Sequence, residues 1–377
     1  MIHRLYETLI AEQMQLDNRV IIIYGPRQVG KTTLVRLITE KFEGKILEIN
    51  ADDGDYNYIL SSRSLKKMLG LVDGYDLIFI DEAQRIYDIG LNLKILYDSL
   101  PNLKLIVTGS SSFDLANKIQ EPLTGRAWTF QLMSIAVCEL ALLYNRFELD
   151  KQLEDWLVFG NYPALLSIQN RELKANYLQE MTRSYLFKDV LAMGSIKYPP
   201  KLRDLTRLLA LQIGSMVSYT ELATTLQISK ETVISYIDLL EKTFVVFRLS
   251  GYSRNLRKEV TRHDKIFFYD LGIRNAVIEN FTPLSKRMDG GALWENFLIV
   301  ERMKTQTYRR KGTNRYYWRT YTGAELDYVE ENDGLLHGFE FKFNLKAVNA
   351  PNSWSENYPN ASFKTINRDN YLDFLLD

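Results

Sequence analysis

The residues with the clearest chemistry lie at 25–33. Gly25, Pro26, Arg27, Gln28, Val29, Gly30, Lys31, Thr32 and Thr33 spell G-x-x-x-x-G-K-T, a phosphate-binding loop. The two glycines let the backbone wrap a triphosphate, so that main-chain N–H groups and the first turn of the next helix face the anion. Lys31 supplies a point charge for the β- and γ-phosphates, and the Thr32 hydroxyl is placed to ligate Mg²⁺. An apolar, β-branched run at 19–24 precedes the loop, and Leu34, Val35, Leu37 and Ile38 follow it at helical spacing. Strand, loop and helix therefore stand in the order this chemistry needs.

A nucleotide site needs a second half. Leu77, Ile78, Phe79 and Ile80 form another buried-strand run, which ends in Asp81 and Glu82. An aspartate at the end of an adjacent parallel strand can hold the Mg²⁺ water shell, as in a Walker B motif. The glutamate after it can take a proton from the attacking water as a general base. Alone, Asp81 could equally cap a helix; beside Lys31 it reads as a metal ligand. One more βα unit, a strand at 45–49 and a helix around 60–69, lies between these strands in the chain. The next strand, 103–107, runs into Thr108, Gly109, Ser110, Ser111 and Ser112. This order resembles the AAA-like, additional-strand division of P-loop ATPases. The resemblance implies that Thr108 or Ser110 senses the γ-phosphate. It also implies that Arg126, in Leu123-Thr124-Gly125-Arg126 ahead of a strand at 128–132, is a finger inserted into a neighbouring subunit's site. The alternative for Arg126 is an ordinary intrasubunit arginine.

The last third carries a second set of chemical groups. His337 to Phe343 alternates at period two, with Phe339, Phe341 and Phe343 on one face and Glu340 and Lys342 on the other. A preceding strand, 323–329, puts Glu325 and Asp327 opposite Leu326 and Tyr328, and joins through the turn signal Asn332-Asp333-Gly334. Upstream, a helix at 290–303 carries Trp294, Glu295 and Asn296. An acid on a helix, an aspartate on a strand and Glu-x-Lys on the next is the PD-(D/E)xK nuclease constellation. Glu295, Asp327 and Glu340 would hold Mg²⁺ or Mn²⁺, and Lys342 would assist the chemistry. The plainer reading is a cross-strand ion pair. Arg309, Arg310, Lys311, Arg315, Tyr316, Tyr317, Trp318 and Arg319 mix basic and aromatic side chains in the way that suits a nucleic-acid backbone and stacked bases.

Between these two sets the pattern is helical. Amphipathic segments run from about 138 to 215, broken at Gly160-Asn161-Tyr162-Pro163 and at Tyr198-Pro199-Pro200. Residues 218–240 read as helix, turn and second helix, the second capped by Ser229. Strands at 244–249 and 265–269 follow, flanking a loop with Ser253, Arg254, Asn255, Arg257 and Lys258. Such a winged helix often lays its second helix in the major groove. That helix offers Lys230, Thr232, Ser235 and Tyr236, with Glu231 and Asp238 opposing, so a packing or dimerisation module is the competing reading.

A length of 377 residues allows two to four domains. Lys+Arg and Asp+Glu are equal at 47 each, so any basic surface for DNA is local. The single cysteine, Cys138, excludes an intramolecular disulfide and a cysteine-based zinc site, and suits a reducing cytoplasm. The first residues carry acids and no long apolar core, so no signal peptide is expected, and no apolar run reaches spanning length.

Over nearly its whole length the chain resembles prokaryotic AAA-like ATPases with a C-terminal domain of unknown function, a winged helix followed by a restriction-endonuclease-like fold. The resemblance rests on GPRQVGKTT, LIFIDEAQ, VTGSSS and LTGR, then on KIFFYDLG, LWENF, GAELDYV and FEFK. It departs at Gly160-Asn161, where relatives commonly carry two glycines. It implies an α/β chain with an AAA-like core at 1–135, a helical lid at 136–215, a winged helix at 216–270 and a PD-(D/E)xK nuclease-like domain at 271–377. It further implies ATP and Mg²⁺ as ligands, a homo-oligomer, and DNA as partner. The expected function is ATP hydrolysis coupled to DNA binding or metal-dependent DNA cleavage. The alternative is an ATP-dependent assembly switch whose nuclease-like part is inactive and binds a protein.

Overall fold

The computed structural model describes residues 2–110, 122–186, 190, 196, 198–253, 264–344 and 347–377. The described chain forms two compact units: Met1–Ile135 with Lys242–Phe244, and Ala136–Glu241 with Val245–Asp377.

In the first unit, β-branched runs too apolar for an exposed face become a fully parallel sheet covered on both sides. Its strands are β1 (Val20–Tyr24), β2 (Ile46–Asn50), β3 (Leu77–Asp81), β4 (Lys104–Gly109) and β5 (Ala127–Gln131). Their order is β2-β3-β4-β1-β5. The strand lying between β1 and β3 in space is thus β4, while β2, which separates them in the chain, takes the sheet edge. This brings the ends of β1, β3 and β4 together, in the crevice beyond the carboxyl ends of parallel strands where ligands bind. Helices α1 (Leu5–Leu16), α2 (Lys31–Thr39), α3 (Gly54–Leu60), α4 (Leu65–Val72) and α5 (Ile89–Ser99) cover the sheet. The one helix expected around 60–69 is two, α3 and α4. Arg63 adopts a left-handed φ of 51° and the Ser62 hydroxyl accepts from the Ser64 N–H at 3.2 Å, a local turn that outcompetes helix continuation.

The second unit begins with the short helix Val137–Leu140 and continues with Arg146–Phe159, Arg171–Met181 and Pro199–Leu211, followed by Tyr219–Leu226 and Lys230–Lys242. Pro199 and Pro200 start a helix rather than only break one, since a first-turn proline forfeits no helical hydrogen bond. Strands β6 (Val246–Leu249) and β7 (Lys265–Phe268) then pair antiparallel. Arg254, Asn255, Arg257 and Lys258 lie outside the described residues, as do Ser111 and Ser112. Helix Gly290–Tyr308 precedes a four-stranded mixed sheet of β8 (Asn314–Arg319), β9 (Glu325–Asn332), β10 (Leu335–Phe341) and β11 (Ser362–Ile366). Its order is β11-β10-β9-β8, with only the β10–β11 pair parallel.

The Gly160 segment is explained by close packing. A Cβ at Gly160 would meet Asp270 Oδ1 at 2.0 Å, and one at Gly272 would meet the Phe159 carbonyl oxygen at 2.0 Å. Asp270 caps helix Leu271–Val277 and also accepts from the Asn161 N–H at 3.0 Å. The helices expected as a lid therefore pack on elements from the C-terminal third: Asn275 Nδ2 donates to the carbonyls of Leu157 and Val158 at 3.1 and 2.8 Å. Cys138 is buried, and burial pushes its thiol up to about 11, so it stays protonated. Among the described residues no helix is long and apolar enough to cross a membrane.

Candidate nucleotide site and a carboxylate cluster

The phosphate-binding loop departs from ordinary backbone at three points, with φ of 151° at Gly25, 61° at Gln28 and 92° at Gly30. Gly25 is required twice over: besides its φ, a Cβ there would lie 1.9 Å from the Leu132 carbonyl oxygen. Arg4, which the sequence did not single out, anchors the loop from outside. Its buried guanidinium donates to the carbonyls of Val29 at 2.8 Å and Met133 at 2.7 Å. Lys31 is buried at the start of α2, and its ammonium donates to the carbonyls of Gly25 and Pro26 at 2.9 and 2.8 Å.

The strand ends complete the site. The Thr32 hydroxyl donates to Asp81 Oδ2 at 2.9 Å, so the two groups expected to share Mg²⁺ are in contact. Both are hard oxygen donors, the type this ion prefers. Thr108 is fully buried and its hydroxyl donates to Asp81 Oδ1. The same hydroxyl accepts from the Glu82 N–H at 3.3 Å. Thr108 thus braces Asp81, while Ser110, one strand-end turn further, is only half-buried. Glu82 sits in a left-handed conformation (φ 54°, ψ 40°), an uncommon state for a residue with a side chain. Its carboxylate Oε2 accepts from Gln84 Nε2, which also donates to Ser110 Oγ at 3.0 Å.

Arg126 lies immediately before β5, whose Ala127 pairs with Val20 at the start of β1. It therefore occupies the opposite end of the parallel sheet from the loop that follows Tyr24. Its Nε donates to Asp98 at 2.8 Å, and both side chains are substantially exposed.

In the second unit the C-terminal acids and lysines converge. Lys342 Nζ bonds Glu340 Oε1 at 2.6 Å, and Asp327 Oδ2 accepts from the Phe341 N–H at 2.8 Å. The strict alternation expected for β9 does not hold. A register shift opposite Tyr316 and Trp318 sends Leu326 into a cluster with Trp318, Val329 and Trp354. Tyr328 instead stacks on Phe341 and packs against Phe339, so Leu326 and Tyr328 face opposite ways.

The cluster also has a member that motif reading missed. Lys265, at the start of β7 and 3% exposed, reaches Glu295 Oε1 at 3.1 Å and Glu325 Oε1 at 2.7 Å. Burial opposes its charge, yet the two glutamates outweigh burial and hold its ammonium above the usual lysine range. Burial pushes the Glu295 carboxyl up to about 8, with Asp327 adding and Lys265 opposing. Burial, then the charge of Glu340, pushes Asp327 up to about 6. Among the described residues no three His, Cys, Asp or Glu side chains are arranged to hold a metal ion. The cation bridging Glu295 and Glu325 is Lys265, so one of the three expected metal ligands, Glu295, is engaged by an internal ammonium.

The surface expected of helix Lys230–Lys242 is also reduced. Tyr236 is buried, its hydroxyl accepting from the Tyr198 N–H at 3.2 Å, and Asp238 pairs with Arg248 at 2.6 Å. Lys230 and Ser235 remain exposed.

Residues 17–141 match the AAA domain family, and residues 150–284 and 290–365 match two domains of unknown function, DUF8612 and DUF4143. With the strand order and the Lys31–Thr32–Asp81 geometry, this defines an AAA-like P-loop ATPase. The chain belongs to the family of two uncharacterized mycobacterial proteins, Rv2008c of Mycobacterium tuberculosis and Mb2031c of Mycobacterium bovis. It is 31% identical to each over 326 residues, covering 86% of this chain and 70% of theirs. It is also similar to the uncharacterized protein MJ1544 of Methanocaldococcus jannaschii, at 24% identity over 316 residues, 76% of this chain and 70% of that one. Among solved structures, the Walker-type ATPase PABY2304 of Pyrococcus abyssi matches with a TM-score of 0.49 and 16% identity, over 74% of this chain and 96% of that one.

Proposed function

We propose that this protein is a cytoplasmic ATP-dependent switch: ATP with Mg²⁺ binds at 25–33, and its hydrolysis changes the assembly state that the second unit presents to a partner. Gly25 to Thr33 wrap the phosphates, Lys31 supplies positive charge, Thr32 and Asp81 hold Mg²⁺, and Ser110 faces the γ-phosphate. Glu82 takes the proton of the attacking water. Arg126, at the opposite end of the sheet from its own phosphate-binding loop and paired with Asp98 in this chain, is read as a finger for a neighbour's site in a homo-oligomer. The second unit is read as a helical lid at 136–215, a winged helix at 216–270 and a nuclease-like domain at 271–377. The observation that carries the switch reading is Lys265: an internal ammonium bonded to Glu295 and Glu325 makes that part of the carboxylate cluster a structural ion-pair network.

A second reading, DNA binding with metal-dependent cleavage, is supported by the convergence of Asp327, Glu340 and Lys342 with Glu295. One experiment separates the two. Sedimentation with ATP, ADP or no nucleotide is run beside cleavage of labelled single- and double-stranded DNA with Mg²⁺ or Mn²⁺. ATP-driven assembly without cutting is the expected result. Metal-dependent cutting that disappears in both Asp327→Ala and Glu340→Ala would replace the switch with a nuclease.

A further inference from the structure

Glu82 and Gln84 are two residues apart, and their side-chain planes are joined by one hydrogen bond. The bond's direction is fixed by chemistry: an ionised carboxylate can only accept, so the atom of Gln84 that faces Glu82 is the Nε2 donor. That same NH₂ group donates its second hydrogen to Ser110 Oγ at 3.0 Å. The amide therefore has both its donors committed, one to the general base and one to the end of β4.

Two acceptors are left over. Gln84 Oε1 is buried and accepts no hydrogen bond among the described residues, an expensive condition for a carbonyl oxygen unless something polar approaches it. The second oxygen of the Glu82 carboxylate, Oε1, likewise accepts none among them. A water molecule has two hydrogens to give. Held between a carboxylate oxygen that takes its proton and an amide oxygen that takes its other O–H, it would be fixed in direction as well as in position.

We propose that Gln84 is a positioning residue for hydrolysis. It orients the Glu82 carboxylate, turns its own carbonyl oxygen toward the attacking water, and ties both to Ser110, so that the state of the strand end bearing Ser110 reaches the base directly. The strained backbone of Glu82 supports this: a residue held at φ 54° has few ways to aim its side chain, and Gln84 supplies the remaining constraint. A water-orienting glutamine is an established device in nucleotide hydrolysis generally. This inference rests on the reading of Glu82 as general base.

The test compares wild type with Gln84→Ala, Gln84→Glu and Glu82→Gln, measuring kcat and, separately, the affinity for a fluorescent ATP analogue. Gln84→Ala is expected to lower kcat by about 10- to 100-fold, the lower part of the range for losing control of a general base, with affinity unchanged within about twofold. Gln84→Glu keeps the shape but sets a second carboxylate against Glu82, so it should lose at least as much turnover while still binding nucleotide. Turnover within twofold of wild type in both Gln84 variants overturns the proposal while Glu82→Gln is inactive. Full turnover in Glu82→Gln would remove the base itself, and the proposal with it. Loss of nucleotide affinity in Gln84→Glu equal to its loss of kcat would mark Gln84 as merely structural.

Discussion

The nucleotide site and the carboxylate cluster solve the problem of a buried lysine in opposite ways. Lys31 is seated on two carbonyl oxygens of its own loop, at 2.9 and 2.8 Å, in a site whose other parts are backbone N–H groups and strand ends. Dipoles hold the ammonium in place without cancelling its charge, which leaves it useful to an incoming phosphate. Lys265 is seated on two carboxylates and its charge is consumed inside the protein. An anion-binding site and an ion-pair network can both bury a lysine, and the partner atoms decide which one results.

That contrast breaks first at Lys31. Lys31→Ala should abolish ATP binding in a fluorescent-nucleotide titration, because the loop loses its only side-chain cation expected to reach the β- and γ-phosphates. Retained affinity would mean that Lys31 is as structural as Lys265.

The opposite loss is expected in the second unit. Lys265→Met should leave nucleotide binding intact but destabilise the second unit by about 2 kcal/mol at alkaline pH, since the ionised Glu295 loses its cation while Glu325 keeps Arg319 at 3.4 Å. The pH dependence sharpens this. The Glu295 carboxyl lies above its ordinary 4.5, at about 8, and Asp327 above 3.8, at about 6. A carboxyl with a raised folded-state value contributes stability that is complete below the unfolded value and is lost as pH rises through the folded one. The melting temperature of the second unit should therefore fall between pH 5 and pH 9 in wild type. In Lys265→Met the fall should be steeper, because at pH 5 a protonated Glu295 no longer needs the ammonium. Identical pH profiles for the two proteins would show that Lys265 does not govern these carboxyls.

The same contrast explains what was legible in the sequence. The loop at 25–33 and the Asp81-Glu82 pair are contiguous and follow buried-strand runs, so type and spacing alone locate them. Arg4 was not legible, because its meaning lies in a carbonyl 129 residues away. Gln84 stands inside a recognised motif, yet its role depends on Ser110, which only the β3–β4 pairing brings near. Lys265 is 30 residues from Glu295 and 60 from Glu325, so no local pattern links them. Period two holds for Glu340 and Lys342, whose side chains meet, but fails in β9, where one bulge puts Leu326 and Tyr328 on opposite faces. The helix break at 61–64 escaped for a related reason: a serine hydroxyl and one left-handed arginine decide it, not the apolar pattern.

ATP hydrolysis by the first unit through Glu82 stands or falls with Glu82→Gln. Single-turnover hydrolysis and nucleotide affinity are measured on the same preparation with Mg²⁺. Hydrolysis should fall by about 10² or more with affinity within about threefold of wild type, as expected when a general base is removed from an intact site. Undiminished hydrolysis in that variant would contradict that role of Glu82.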